Sequence, residues 1–223
     1  MAYSDLGAIS SGDTGTSSWA NQVRSNFQAG VPDIFTAKGD IAGGTGADAA
    51  ARLAVGDDDS ILVPDSGETA GLAWQIQPAC RVYRSTDYDP ATSSWVALPF
   101  GSERFDTDDM HDTETNTERL TVPTNGDGLY LVGGNVEFDT SALSGTGYHY
   151  GIALRLNGTT YIAREFSEDT MSGSGLISFD ISTLYSLSAT DYVELMIYTT
   201  GNLDVKASGN YSPEFWAIWQ RRQ

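Results

Sequence analysis

Basic residues are scarce in this 223-residue chain. Lys38 and Lys206 are the only lysines and ten arginines complete the set, 12 bases against 30 Asp and Glu, for a formal charge of −18. A surface so poor in cations repels phosphate backbones, which bind through Lys and Arg that release counterions, and nucleic acid is therefore not an expected partner. Cysteine is nearly absent: Cys80 stands alone, so neither an internal disulfide nor a paired-cysteine metal site can form. His111 and His149 are the only histidines, and no G-x-S-x-G elbow occurs. With Cys80 lacking a partner pattern, the chain offers no recognisable nucleophile and base, and the expectation is a protein without catalytic residues, metal or cofactor. Long apolar runs are also missing. No stretch approaches the roughly 20 residues of a membrane span, and the start, MAYSDLGAIS, has neither a basic nor an apolar leader region.

What is present is acid, and aspartate outnumbers glutamate. In molar salt the Debye length falls to about 3 Å, which screens repulsion among surface carboxylates. The composition therefore points to a halophilic protein. The densest acidic run, RFDTDDMHDTETNTERL from Arg104 to Leu120, fails as an EF-hand: counting from Asp106, the fifth and sixth positions are Met110 and His111, so the turn glycine is missing. It is expected to be a solvated or intersubunit-paired loop, with an incidental cation at Asp106, Asp108, Asp112 or Glu114 as the alternative.

Three zones follow one another. Residues 1–35 hold one helical signal, TSSWANQVRSNFQAGVP, with Trp19, Val23 and Phe27 at i, i+4 and i+8, a cap at Thr16 or Ser17 and a stop at Gly30 and Pro32. A helix of about a dozen residues is marginal alone. It must pack its stripe on its own chain or serve as an anchor to a larger assembly. Residues 36–78 are rich in Gly, Ala and Asp, with short bursts at Ile61-Leu62-Val63 and Leu72-Ala73-Trp74, and read as a linker or as an intertwined extended β segment.

Residues 79–223 change to short strands divided by turns, the pattern of an all-β sandwich. Asn157-Gly158 predicts a tight type I′ hairpin, since both central positions require φ > 0. Asn157-Gly158-Thr159 and Asn210-Tyr211-Ser212 also read as glycosylation sequons, the second followed by Pro213. In DYVELMIY, Tyr192, Met196 and Tyr198 alternate with Val193, Leu195 and Ile197. In EFWAIW, Phe215, Ala217 and Trp219 alternate with Trp216 and Ile218. Strands apolar on both sides need cover on both sides. Tyr192, Met196, Tyr198, Phe215, Trp216 and Trp219 are thus the expected subunit contacts, with cover by the chain's own N-terminal segment as the competing arrangement.

Two resemblances sharpen this reading. The run KGD, ARLAVG, ILVPDS and GLAW resembles a segment of tail-fibre and other structural proteins of tailed viruses. The spaced set FDTDDMHDTETNTERLTVPTNGDGLYLVGGNVEF, IALRLNGTTYIA, STLYSLSATDYVELMIY and SGNYSPEFWAIW resembles the globular head of complement component q and its relatives in the tumour necrosis factor (TNF) superfamily. That family implies a ten-stranded jelly roll that forms homotrimers; the missing Gly-X-Y stalk points away from a complement-like role. Together they imply a non-enzymatic virion protein of a tailed virus. It would be a trimeric capsid decoration, turret or fibre whose docking residues Trp19, Val23 and Phe27 engage capsid or tail components. The alternative is a host-attachment adhesin recognising glycan or surface-layer protein, with Tyr83, Tyr88, Trp95 and Tyr211 as contact residues. A polysaccharide depolymerase using paired carboxylates is a third possibility.

Overall fold

The computed structural model describes Ser18, Ala20, Asn21, Val23 and residues 34–222 apart from 48, 146 and 170–174. Trp19 and Phe27, two of the three expected docking residues, lie outside the described residues. Ser18, Ala20, Asn21 and Val23 take helical backbone, with Val23 half-buried. The chain divides into two compact units, Met1–Gln75 and Ile76–Gln223.

In the first unit the small-residue zone forms two hairpins, β1 (Ile41–Gly46) with β2 (Ala49–Leu53) and β3 (Ile61–Pro64) with β4 (Leu72–Gln75). The two apolar bursts of the sequence meet each other, Leu62 opposite Trp74 and Val63 opposite Ala73. Two-stranded ribbons are weak alone. Here Trp74 fastens them, its indole Nε1 donating 2.7 Å to the Ala54 carbonyl while its ring lies where any side chain at Gly56 would be. Asp40 ties the entry to β1 by accepting from the Thr36 and Ala37 amides at 2.7 and 2.8 Å and pairing with Arg52.

Among the described residues the second unit contains eleven strands in chain order: β5 (Ala79–Tyr83), β6 (Val96–Ala97), β7 (Ser102–Asp106), β8 (Arg119–Thr121), β9 (Gly128–Asp139), β10 (Tyr148–Leu156), β11 (Thr160–Asp169), β12 (Leu176–Leu187), β13 (Tyr192–Thr199), β14 (Asp204–Val205) and β15 (Glu214–Arg221). They form two antiparallel sheets. The larger runs β12-β9-β15-β5-β7 with β14 on β9; the smaller runs β11-β10-β13-β6 with β8 on β13. The chain passes from the larger sheet to the smaller between β9 and β10, turns back at β10–β11, returns to the larger sheet at β12 and crosses again to β13. The result is the expected jelly-roll sandwich, with one strand more than the ten anticipated because β7 forms across the start of the acidic stretch.

The core follows from the alternation of the longest strands. Tyr130, Val132, Val136 and Phe138 of β9 meet Ile152 and Leu154 of β10, Leu195 and Ile197 of β13, and Phe215 of β15, all essentially inaccessible to solvent. Each such side chain stabilises the fold by about 1.5–3 kcal/mol relative to exposure. Gly133 and Gly134 interrupt β9 for a packing reason. A Cβ at Gly133 would stand 2.7 Å from the Trp216 ring, and one at Gly134 would stand 2.7 Å from Leu195. The predicted Asn157-Gly158 turn forms with φ of 50° and 67°, joining β10 to β11.

Candidate functional site

The outer face of the larger sheet can be read row by row from its register. Leu184, Leu131 and Ile218 stand opposite one another on β12, β9 and β15. The next row is Ser182, Gly133, Trp216, Arg81 and Phe105, and the one after it Asp180, Asn135, Glu214 and Tyr83. The first two rows carry a contiguous apolar strip. Leu184 is 57% exposed and Phe105 43%, while Leu131, Trp216 and Ile218 are half-buried. Arg81, Phe105, Asn135, Trp216 and Ile218 line a pocket of about 260 Å³ in this strip. Gly133 makes the depression into which the Trp216 ring is laid.

Below the strip sits Glu214, fully buried although it belongs to the outward set. Arg81 Nε donates 2.7 Å to its Oε2 and Arg104 Nε donates 3.0 Å to its Oε1, while its amide donates 3.2 Å to Asn135 Oδ1. Arg104 also lies 3.9 Å over the Tyr83 ring. A buried carboxylate is tolerable only when paired in this way. Arg104, the first residue of the acidic run, is therefore recruited into the sheet face.

The outer face of the smaller sheet is different. Met196 is fully buried within one chain, opposite Ala97 of β6. Trp95, just before β6, joins Tyr198, Tyr161 and Phe166 with ring centroids 5.4, 5.6 and 6.2 Å away, and His149 stacks on Phe166 at 5.9 Å. Next along the face, Arg155 grips the buried Glu194 through two parallel hydrogen bonds of 2.8 and 2.9 Å, and Arg119 covers the Tyr192 ring at 4.7 Å.

The six expected subunit contacts therefore separate. Met196, Phe215 and Trp219 are buried inside a single chain and present almost no surface to a neighbouring copy. Phe215 and Trp219 belong to the core between the sheets, and Met196 pairs beside Ala97 of β6. Tyr192, Tyr198 and Trp216 remain partly open, but Trp216 lies on the larger sheet and the tyrosines on the smaller. The neighbours of Trp216 that complete the open strip, Leu131, Leu184 and Phe105, were not anticipated. They come from β12, β9 and β7, strands distant in sequence whose outward residues align only through sheet register.

The acidic stretch is folded onto the sandwich through Asp106, Met110 and His111 and exposed to solvent from Asp112 to Asn116. Asp106 organises it: Oδ1 accepts from the Asp108 and Met110 amides at 3.3 and 3.0 Å, and Oδ2 from the His111 amide at 2.8 Å. Met110 is buried, and the His111 ring is enclosed between Glu103 Oε1 at 2.9 Å and the Thr117 carbonyl at 3.2 Å. Asp112 accepts from the Glu114 and Thr115 amides, which hold its carboxyl below the usual range. Burial raises Asp108, helped by Asp109 and Asp106. Among the described residues no group of three or more His, Cys, Asp or Glu is placed to hold a metal ion. Cys80 is buried, and burial raises its thiol far above the range of a reactive thiolate.

The four aromatic residues considered for attachment are scattered. Tyr83 lies under Arg104 and Tyr88 under Arg84 at 4.9 Å, Trp95 belongs to the smaller sheet's aromatic cluster, and Tyr211 is 59% exposed.

No family model matches the chain, and no curated protein matches it. Among solved structures, murine APRIL at pH 5.0 is similar with a TM-score of 0.45 and 10% identity over 65% of this chain and 99% of that one. The globular domain of zebrafish complement 1qA has a TM-score of 0.45 and 12% identity over 66% and 99%. Murine APRIL at pH 8.0 has a TM-score of 0.47 and 12% identity over 65% and 99%.

Proposed function

We propose that the chain is a non-enzymatic structural protein that works as a homotrimer, with the outer face of the larger sheet turned towards neighbouring copies. The observation that carries this reading is the contiguous apolar strip of Leu184, Leu131, Ile218, Trp216 and Phe105. A soluble sandwich normally presents polar side chains on such a face, and a strip of this kind is stabilised by cover from another surface. A head-to-tail contact closing after three copies supplies that cover without leaving an open end. Light scattering in concentrated salt tests it: a mass three times the 23.9 kDa of the chain is expected, and a lone chain overturns it.

The particle role rests on the sequence motifs. A projection on the surface of a tailed virus, docked through the N-terminal region and adapted to brine, fits the KGD-to-GLAW run and the charge of −18. Antibody labelling of purified particles followed by imaging tests the location, and unlabelled particles exclude it. A second reading, an adhesin for host glycan or surface-layer protein, is favoured by the aromatic group of Trp95, Tyr161, Phe166 and Tyr198 on the other sheet. Binding of the purified chain to host cells, competed by free sugar, supports this reading; no binding at native salt removes it.

A further inference from the structure

A second pocket lies on the same outer face of the larger sheet, beyond the Glu214 row and outside the apolar strip. It holds about 250 Å³ and is lined by Asn135, Glu137, Ser178, Asp180, Tyr211 and Ser212 among others. The register builds it: Glu137 stands opposite Ser178, and Asn135 opposite Asp180, on β9 and β12. Ser178 donates 3.2 Å to Glu137 Oε1. The other carboxylate oxygen, Glu137 Oε2, is shielded from solvent and has no hydrogen-bond partner among the described residues. Ser212, only 4% exposed, carries a second such oxygen in its Oγ. Among the described residues no Lys, Arg or His lines the pocket. The nearby cations are engaged elsewhere, Arg104 with Glu214 and Lys206 with Asp87.

The Glu137 and Asp180 carboxylates call for hydrogen-bond donors, and the shielded Glu137 Oε2 and the Ser212 hydroxyl are left without partners among the described residues, which is costly. Three kinds of occupant differ in what they supply. A bare metal ion would find only two carboxylates here, and among the described residues no three His, Cys, Asp or Glu are grouped to hold one. A neutral polyol supplies donors but leaves both negative charges uncompensated. A guanidinium or primary ammonium group supplies donors and opposite charge together, and the exposed Tyr211 ring at the lip offers a π face to the same cation. We infer that this pocket is a binding site for an organic cation, taking a guanidinium or primary ammonium group between Glu137 and Asp180 with Tyr211 beside it. The group can belong to a free amine or to an Arg or Lys side chain of a partner protein.

Calorimetric titration of the full chain with agmatine tests the inference, with a short Arg-containing peptide as a second arm. Saturable one-to-one binding of agmatine is expected, with glucose and calcium chloride giving none. D180N and E137Q should each weaken it by about 10-fold, the scale of a charge-assisted hydrogen bond. Y211A should weaken it by about 2- to 5-fold. Asp180 and Tyr211 are exposed, so their variants test the site even where E137Q perturbs the fold. Tighter binding of the peptide than of agmatine marks a protein side chain as the occupant, and equal binding marks a small amine. Absence of saturable agmatine binding, equal affinity in wild type and D180N, or glucose binding as well as agmatine does overturns the inference. Light scattering reads the oligomer separately, so failure of this site and failure of the trimer are distinguishable.

Discussion

The outer faces of the two sheets pose the same problem and are finished differently. Both carry strands with apolar residues on the reverse side, β13 on the smaller sheet and β15 on the larger. On the smaller sheet the chain supplies its own cover: β6 pairs beside Met196, and Trp95 packs with Tyr161, Phe166 and Tyr198. On the larger sheet the row from Leu184 to Ile218 and the neighbouring Trp216 and Phe105 stay open, bounded by the Glu214 ion pairs. Two-sided apolarity in a strand thus establishes that cover is needed, and leaves open whether the same chain or another provides it.

The contrast is breakable at its polar boundary first. Replacing Arg81 and Arg104 together by Ala leaves Glu214 buried without a counter-charge, and a loss of about 3–5 kcal/mol is expected in urea unfolding. Glu214→Leu combined with Arg81→Met and Arg104→Met should restore most of that stability, because no buried charge then remains.

Met196→Ala and Trp216→Arg then separate the two faces. Met196→Ala empties space inside one chain and should cost about 2–5 kcal/mol while the mass in solution is unchanged. Trp216→Arg places a charge in the open strip, and it should convert trimer to monomer in light scattering with a smaller change in the unfolding midpoint of the isolated chain. If Met196→Ala dissociates the protein and Trp216→Arg does not, the assignment of faces is reversed.

A smaller effect is expected at the hairpin edge of the smaller sheet. Asn157 takes φ of 50°, accepts from the Tyr192 amide at 2.9 Å and donates to Asp191 at 2.7 Å. Asn157→Ala loses both bonds and strains the turn, for about 1–2 kcal/mol in thermal or urea unfolding.

The smallest expected effect is a titration in the first unit. The Thr36 amide, followed by the Ala37 amide and Arg52, lowers Asp40 to about 2. A depressed folded pKa gives stability that is present above the unfolded value of about 3.9 and lost as pH falls through about 2. An NMR titration should place the Asp40 midpoint near that lower value, and Asp40→Asn should abolish the corresponding pH dependence between roughly 4 and 2.

Much of the jelly roll was legible because its long strands declare themselves locally. GLYLVGGNVEF, YHYGIALRL and DYVELMIY alternate clearly, and Asn157-Gly158 names its turn type from the φ values it tolerates. The acidic run was legible only in part. Its composition hid β7, since Ser102–Asp106 reads as polar coil until Arg104 is seen pairing with a glutamate 110 positions away. Its burial was hidden too, because Met110 and His111 enter the fold through backbone bonds to Asp106 that no spacing rule announces. The open strip escaped for a similar reason: Leu184, Leu131, Ile218 and Phe105 come from four strands and become neighbours only through register.

Charge, the scarcity of cysteine, histidine and lysine, the strand-rich second half and the type I′ turn are local properties, and the order of residues determined them without reference to the fold. Which apolar residues are core and which are open depends on strands far apart in the chain lying side by side, with their outward residues summed into one face. Tertiary structure alone decided that Met196, Phe215 and Trp219 are enclosed while Trp216 and Leu184 are left on the surface, because burial is a property of neighbours in space and a strand's own sequence specifies only the alternation.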